Sequence, residues 1–311
     1  MNEYLKVSPN PFVKARGNVN RITEHKILAL MAVSIVGICL AGAKSALVML
    51  TSVASAVVFE FLYGLIVNEE KKIENLSCVV TGMIFGCLCA PKTPWYVPIV
   101  AMFFATVIIK MMFGGFANNM FSIAGCGQIF VACMFAGVMN SWQVARGIGF
   151  AYDPISSIAA HNFDAFNVLD FLVGDVTASI GCMCALAVLI AGAYLALARV
   201  IDIKLPLIAV AVYLVTGLCF NGFNINCVLP YLFAGNMLFV SLFLLTDFIT
   251  RPNTVLGQVL YAAIFGVLSG VFVSIDLCGE MGVIVALIIA NCFTPLFDRV
   301  IRPRYFGEGK V

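Results

Sequence analysis

The sequence predicts an all-α polytopic membrane protein with about ten transmembrane helices, in two five-helix halves with both termini in the cytoplasm. Of its 311 residues, 62% are apolar and 11% are charged, whereas soluble proteins carry about 25% charged residues. A bilayer core needs about 20 apolar residues in a helix, and runs such as 45–67 and 227–245 reach that length. The distribution of basic residues supports the same class.

The first half, 27–139, follows a polar and basic segment, 1–26, that lacks the apolar core of a signal peptide. Pro91 and Pro94 separate its third and fourth spans, and a pair of glycines at 114–115 ends the fourth, because proline and glycine interrupt helices. The five predicted spans are 27–43, 45–67, 76–90, 96–113 and 121–139.

The second half, 177–301, is divided in the same way and precedes a short cytoplasmic tail, 302–311. Pro206 and Pro252 lie near predicted span ends, whereas Pro295 lies within the last span and is expected to kink it. The five predicted spans are 177–198, 205–220, 227–248, 257–275 and 281–301.

The basic residues test this map, because Lys and Arg favour cytoplasmic loops. With the N-terminal segment inside, 14 of the 18 Lys and Arg residues fall on the cytoplasmic side. Lys110 lies near the inner end of its span, and only Lys44, Lys92 and Arg146 are left outside. An even number of spans with both chain ends inside is therefore predicted.

The longest interior connection, 140–176, is predicted to be an outer loop between the two halves. A loop of this length is usually functional or disordered. Its aromatic residues and short apolar runs argue against disorder, since disordered segments are poor in them. It carries four aspartates and one arginine.

Three charged residues lie within or at the ends of predicted spans, where a centred charge costs about 2.5–3.5 kcal/mol. Lys110 and Asp247 are close enough to span ends to reach water. Glu60 lies deeper in its span. We expect Glu60 either to pair with a basic residue or to have a functional role.

Twelve cysteines are scattered through the apolar segments. Cys87/Cys89 and Cys182/Cys184 have C-x-C spacing, which could ligate a metal, but cysteine also packs as a small apolar residue. The sequence contains no C-x-x-C pair, no zinc-type Cys/His spacing and only two histidines. The sequence therefore predicts no metal site. We also expect no catalytic residue in this chain and no nucleic-acid partner.

Several short motifs occur in an order that resembles one family over nearly the whole chain. Gly114 to Phe121 is similar to a Gly-Gly-x-Gly-x-Asn-x-Phe-Asn-Pro-Ala turn, and Thr246-Asp247 with Pro252 is similar to Ala-Thr-Asp-Pro-x-Thr-Ser-Pro. The chain resembles the D subunit of the Rnf ion-translocating electron-transport complex, whose sister is the B subunit of the sodium-pumping NADH:quinone oxidoreductase. The resemblance implies ten helices and partner subunits in a bacterial cytoplasmic (inner) membrane. Further matches are 8–23, Glu280, Gly282, Asn291, Pro295, Asp298 and 302–307.

The resemblance also implies an FMN joined by a phosphoester to a threonine of the outer loop. In the matching stretch Asp153 and Ser156 agree with the family, but Ala159 stands at the attachment position. Alanine has no hydroxyl, so covalent attachment does not follow from this sequence. Ser156, Ser157 and Thr177 are the nearest hydroxyls in plausible register. We predict that any flavin is held without a covalent bond.

Two functions remain open at this stage. In the first, the chain is a membrane component through which electrons pass between ferredoxin and NAD by way of flavin, coupled to movement of Na⁺ or H⁺. Glu60, Asp247 and Glu280 are then candidates for the ion pathway. In the second, the chain is a small-solute or ion channel or transporter of related fold that has lost the redox cofactor. Flavin absorbance of the purified protein separates the two.

Overall fold

A computed structural model describes residues 19–67, 76–115, 118–139, 154–160, 168–174, 176–233 and 235–301. Within these ranges every regular element is helical. A helix lies at each of the ten positions where the sequence predicts a span. The all-α class is therefore confirmed.

In the described part of the first half there are six α-helices, two of which lie in the predicted fifth span. The fourth helix continues beyond its α-helical part as a π-helix over Phe103–Met111. The bounds are α1 Val19–Ala41, α2 Ala43–Val67, α3 Ser77–Leu88, α4 Tyr96–Met102, α5 Ile123–Met134 and α6 Ala136–Met139.

Two short helices, α7 Pro154–Ala159 and α8 Val168–Val173, lie in the predicted outer loop. The second half follows, with a 3₁₀ turn before α11, a π-helical stretch Val240–Leu244 after α12 and a 3₁₀ turn Gly279–Met281 before α14. The helices are α9 Ala185–Leu197, α10 Lys204–Phe220, α11 Val228–Phe233, α12 Met237–Phe239, α13 Val255–Ser274 and α14 Gly282–Val300.

Four helices of the described chain are long and apolar enough to cross a bilayer: α1, α2, α13, and α14 with its preceding turn. Two helical stretches, Ile225–Phe233 and Met237–Leu244, meet at 65° and make a fifth span if they are taken together. The other apolar helices, α3, α4, α5, α9 and α10, are shorter. The ten-span topology and the cytoplasmic termini stay predictions.

The prediction of a helix from 177 was wrong for its first eight residues, because α9 begins only at Ala185. The preceding segment instead pairs with the end of α3, where Cys89 is extended (φ −74°, ψ 150°). The N–H of Ile180 donates to the Cys89 carbonyl (3.0 Å) and that of Gly181 to the Cys87 carbonyl (2.7 Å). We call this contact between the two halves the crossing.

Close helix packing depends on small residues, as is common between membrane helices. Helices α10 and α13 pack against each other. A Cβ added at Gly270 would lie 1.9 Å from the Thr216 Oγ1.

The last helix, α14, continues through Pro295 to Val300. The predicted kink at Pro295 stays a prediction.

Candidate functional site

A buried ion pair joins α2 to the π-helical end of α4. The Lys110 ammonium lies 2.5 Å from the Glu60 carboxylate and donates a second hydrogen bond to the Ser77 hydroxyl (2.9 Å). The Lys110 side chain is 1% exposed and that of Glu60 is 14% exposed. The prediction that Lys110 reaches water was therefore wrong, because Glu60 supplies its counter-charge inside the bundle. Of the alternatives for Glu60, pairing with a base is confirmed.

A second ion pair joins the beginning of α1 to the residues after the π-helical stretch of the second half. The Lys26 ammonium lies 2.9 Å from the Asp247 carboxylate and 5.6 Å from the centre of the Phe248 ring. The Lys26 side chain is 8% exposed and that of Asp247 is 33% exposed. Asp247 meets solvent, as predicted from its place at a span end, but it also has a basic partner.

A small open cleft is lined by the Lys26–Asp247 pair and by residues of both halves of the chain. Ser77 lines this cleft and also accepts the hydrogen bond from Lys110, so it connects the buried pair with the exposed one. We call this space the Lys26 cleft. Its polar lining is Thr23, Lys26, Ser77, Thr81, Ser122 and Asp247, and its apolar lining includes Val80, Ile84, Phe243 and Phe248.

Two threonines in the lining present oxygen lone pairs to the cleft. Thr23 donates its hydroxyl hydrogen to the Val19 carbonyl (2.9 Å), and Thr81 donates to the Ser77 carbonyl (3.0 Å). A hydroxyl that donates its single hydrogen to a carbonyl of its own helix can only accept further hydrogen bonds. Together with the Asp247 carboxylate, these oxygens can accept hydrogen bonds or ligate a cation of hard character.

The segment 245–254, which carries Asp247, is tied to α14. The Thr294 hydroxyl donates to the Thr250 carbonyl (3.0 Å). The Asn253 backbone N–H donates to the Asp298 carboxylate (2.9 Å). These bonds fix the non-helical chain on both sides of Arg251, so the position of Asp247 depends on contacts with the last helix.

Glu280, the third predicted acid, does not lie at the Lys26 cleft. It is 7% exposed, and its backbone carbonyl accepts a hydrogen bond from the Asn236 side chain (3.4 Å). Asn236 in turn accepts from Ser179 (2.7 Å), close to the crossing. Glu280 lies in the turn before α14, whereas Thr294, which contacts the Asp247 segment, lies in α14 itself. The 14 positions between them correspond to about 21 Å at 1.5 Å per residue.

The residues predicted to bind flavin fall in separate parts of the chain. Ser156 and Ser157 lie in α7, which packs against α11 and α13, and Ala159 ends that helix. Thr177 is 4% exposed and lies in the non-helical segment before α9. Asp153 lies outside the described residues.

Three cysteines of the two C-x-C pairs are buried at the crossing, and Cys184 is half-buried. The Cys87 thiol lies 3.7 Å from the Ser34 hydroxyl, and the Cys89 thiol lies 4.0 Å from the Gln128 side chain. Among the residues that the structure describes, no group of three His, Cys, Asp or Glu side chains is placed to hold a metal ion. Here the cysteines contribute packing and weak hydrogen bonds.

Comparison with known proteins identifies the family of this chain. A model of the NQR2, RnfD, RnfE family matches residues 6–307. The chain belongs to this family. The resemblance predicted from the ordered motifs is therefore confirmed.

Relatives within the family carry names that agree with that resemblance. The D subunit of the Na⁺-translocating ferredoxin:NAD⁺ oxidoreductase complex of Acetobacterium woodii is 27% identical over 100% of this chain and 98% of its own length. The D subunit of the proton-translocating ferredoxin:NAD⁺ oxidoreductase complex of Clostridium ljungdahlii is 24% identical over 97% of this chain and 96% of its own. The B subunit of the Na⁺-translocating NADH-quinone reductase of Klebsiella pneumoniae is 26% identical over 78% of this chain and 63% of its own.

Sequence reasoning missed two partners at the site. In the sequence, Lys26 is only one of the basic residues that indicate topology, and Lys110 is only a residue near a span end. A signal was present for Lys110, since it and Glu60 are opposite charges in the second and fourth spans, near the same predicted membrane face. For Lys26 no local signal exists, because its partner is 221 positions away.

Proposed function

We propose that this chain is the D-type membrane subunit of an ion-translocating ferredoxin:NAD⁺ oxidoreductase, and that the Lys26 cleft is where the translocated cation enters it. Membership of the family and the names of relatives that match along nearly their whole length support the first part. The observation that carries the second part is that the Asp247 carboxylate, the Lys26 ammonium group and four hydroxyl groups line one open cleft. The Glu60–Lys110 pair is hydrogen-bonded to one of these hydroxyls, that of Ser77.

The cleft belongs to the cytoplasmic end of the bundle in this proposal. Its residues Lys26 and Ser77 border the basic segment 1–26 and the connection that contains Lys71 and Lys72. Because Lys and Arg favour cytoplasmic loops, the end of the bundle that holds the cleft faces the cytoplasm. Partner subunits that deliver electrons from cytoplasmic carriers would bind at the same face of the inner membrane.

The chemistry of the lining suits a small monovalent cation. Carboxylate and hydroxyl oxygens are the ligands that hard cations prefer. Asp247 is the acid that solvent reaches, so it is the first ligand that we assign, with Thr23 and Thr81 beside it. Glu60 lies behind Ser77 and contributes negative charge close to the site. Glu280 is a candidate for a more distant position on the ion pathway, because it lies about 21 Å away at the other end of α14.

The family's covalent FMN does not fit the residues present. A phosphoester needs a hydroxyl, and the position that matches the attachment threonine is Ala159. Thr177, the nearest threonine, is 4% exposed in a segment next to the crossing, so a transferase could reach it only after that segment opened. A tethered flavin is therefore not part of the proposed function. Ser156, Ser157, Thr177 and Asp153 stay candidates for contact with a flavin held without a covalent bond.

The alternative function is a channel or transporter without a redox cofactor. It is favoured by Ala159, because this residue has no hydroxyl to which a flavin could be attached. An affinity tag on the chain in its native membrane separates the two. Our proposal requires redox-active partner proteins to co-purify and ferredoxin-dependent cation uptake to occur in inverted vesicles. Isolation of the chain without such partners, with solute flux that needs no reductant, would establish the alternative.

The role of the cleft has its own test. Asp247→Asn should abolish cation uptake, while Asp202→Asn, at an exposed acid outside the cleft, should leave it at the wild-type rate. Normal uptake by the Asp247→Asn complex would remove the cleft from the pathway but would leave the assignment to the complex intact.

A further inference from the structure

We propose that Lys26 is a built-in competitor of the translocated cation, namely that its ammonium group occupies the Asp247 carboxylate until a sodium ion displaces it. The inference rests on the proposed function of the Lys26 cleft. It assigns to Lys26 the role of a positioning residue that sets how tightly the site binds Na⁺.

The two lysines at the cleft are held very differently. Lys110 contacts both Glu60 and Ser77 and is 1% exposed, so it is a fixed part of the bundle. The Lys26 side chain is 8% exposed, and its one hydrogen-bond partner among the described residues is Asp247, whose side chain is 33% exposed. A lysine ammonium is a compact charge on a flexible stem with three rotatable donors. Release of Lys26 therefore breaks one hydrogen bond at a partly exposed carboxylate, whereas release of Lys110 would break two in the interior.

The backbone at Lys26 stays in place when the side chain moves. The next residue back, His25, hydrogen-bonds through Nδ1 to the Tyr194 hydroxyl of α9 at 2.8 Å. Thr23 is bonded to its own helix, and α1 packs along α9 and α3. These contacts hold α1 in place, so in this proposal the ammonium group exchanges with the free cation by rotation of the Lys26 side chain.

Charge balance makes this exchange the simple way to load the site. The Lys26–Asp247 pair in the cleft and the Glu60–Lys110 pair behind Ser77 each combine one positive and one negative group, so their charges sum to zero. An additional cation would leave an excess positive charge in a partly buried site, which is unfavourable at low dielectric. If the Lys26 ammonium swings out to solvent as Na⁺ enters, the balance at the cleft is kept. The hydroxyl lone pairs of Thr23 and Thr81 then complete the ligand set.

The consequence is a site of limited affinity that releases its ion readily. Because Na⁺ must displace the ammonium group, the apparent affinity of the site for Na⁺ is lower than it would be without Lys26. Coupling between two ligands typically changes an affinity 5–150-fold. Without the ammonium, Asp247 would hold Na⁺ more tightly. Translocation needs binding that is strong enough to load and weak enough to unload, as in channels.

The test measures Na⁺ binding to the purified complex by thermal stabilisation, because a bound ligand raises the unfolding temperature by mass action. The probe is NaCl at constant ionic strength against choline chloride. For Lys26→Gln we expect the half-saturating Na⁺ concentration to fall about tenfold, and for Lys26→Arg to stay near wild type because the cation is kept. Asp247→Asn should lose the Na⁺ response, and Lys26→Gln combined with Asp247→Asn should behave like Asp247→Asn alone.

A purely structural Lys26 gives another pattern. The Lys26→Gln complex would then melt at a lower temperature in choline chloride, with an unchanged half-saturating Na⁺ concentration, and that result overturns the inference. A wild-type complex that translocates cations with no Na⁺ response overturns it as well, while the proposed function stands. If the variant does not assemble, Lys26→Met and Lys26→Arg supply the comparison. Equal half-saturation in those two variants also refutes the idea.

Discussion

The Glu60–Lys110 pair allows a stability prediction in which the two partners are not equivalent. In Glu60→Gln the Lys110 ammonium stays in a site where its side chain is 1% exposed. Its remaining hydrogen-bond partners there are neutral, namely the Ser77 hydroxyl and the new glutamine amide. Breaking a buried pair from one side typically costs about 3–5 kcal/mol, since the remaining charge is uncompensated. We expect the Glu60→Gln protein to lose stability of that order.

The reverse deletion should cost less. Lys110→Met removes the more deeply buried charge and leaves Glu60, whose side chain is 14% exposed and can be hydrated. The variant with both changes should recover most of the loss, because replacing a buried pair with neutral groups of similar size is often neutral or stabilising. The predicted order of stability is therefore double variant above Lys110→Met, and Lys110→Met above Glu60→Gln.

The assay is unfolding of the purified protein in nanodiscs, followed by circular dichroism over temperature and denaturant. The exposed pair Arg251–Asp202 is the matched control, because it has the same 2.5 Å separation but side chains 21% and 59% exposed. Arg251→Gln should cost about 1 kcal/mol or less. Wild-type stability of Glu60→Gln, or an equal loss in Arg251→Gln, would refute the reasoning from burial.

Three further predictions can be checked separately. A Cβ at Gly37 would lie 2.1 Å from the Ile180 carbonyl oxygen, so Gly37→Ala should destabilise by about 1–3 kcal/mol in the same unfolding assay; Gly64→Ala, with nothing within 4 Å, should not. The denatured protein should show no in-gel flavin fluorescence, and a flavin phosphate found by mass spectrometry on Thr177, Ser156 or Ser157 would contradict that expectation. An impermeant reagent added outside cells should label a tag at Tyr152 but not one at Lys71, and equal labelling would overturn the ten-span topology.

Much of the architecture follows from properties that are local along the chain. Helix positions could be predicted because apolar runs of bilayer length recur and because proline and glycine interrupt them. The family could be recognised because its short motifs keep their order. Among the site residues, Glu60 and Asp247 were predicted from the cost of a charge in an apolar span, a property of each residue and its neighbours alone.

Other features depend on how the helices pack. Glu60 meets Lys110, 50 positions away, and Asp247 meets Lys26, 221 positions away. Coulomb attraction falls with distance and depends on burial. Whether two charges pair is therefore decided by helix rotation and depth, which periodicity does not specify. The residues 177–184 show the same limit. They were assigned to a helix because they begin a long apolar run, but the carbonyls at the end of α3 offer the N–H groups of Ile180 and Gly181 other partners. Composition and order along the chain thus determined the class, the helices and the family, while the site itself was decided by tertiary contacts that only the packed bundle creates.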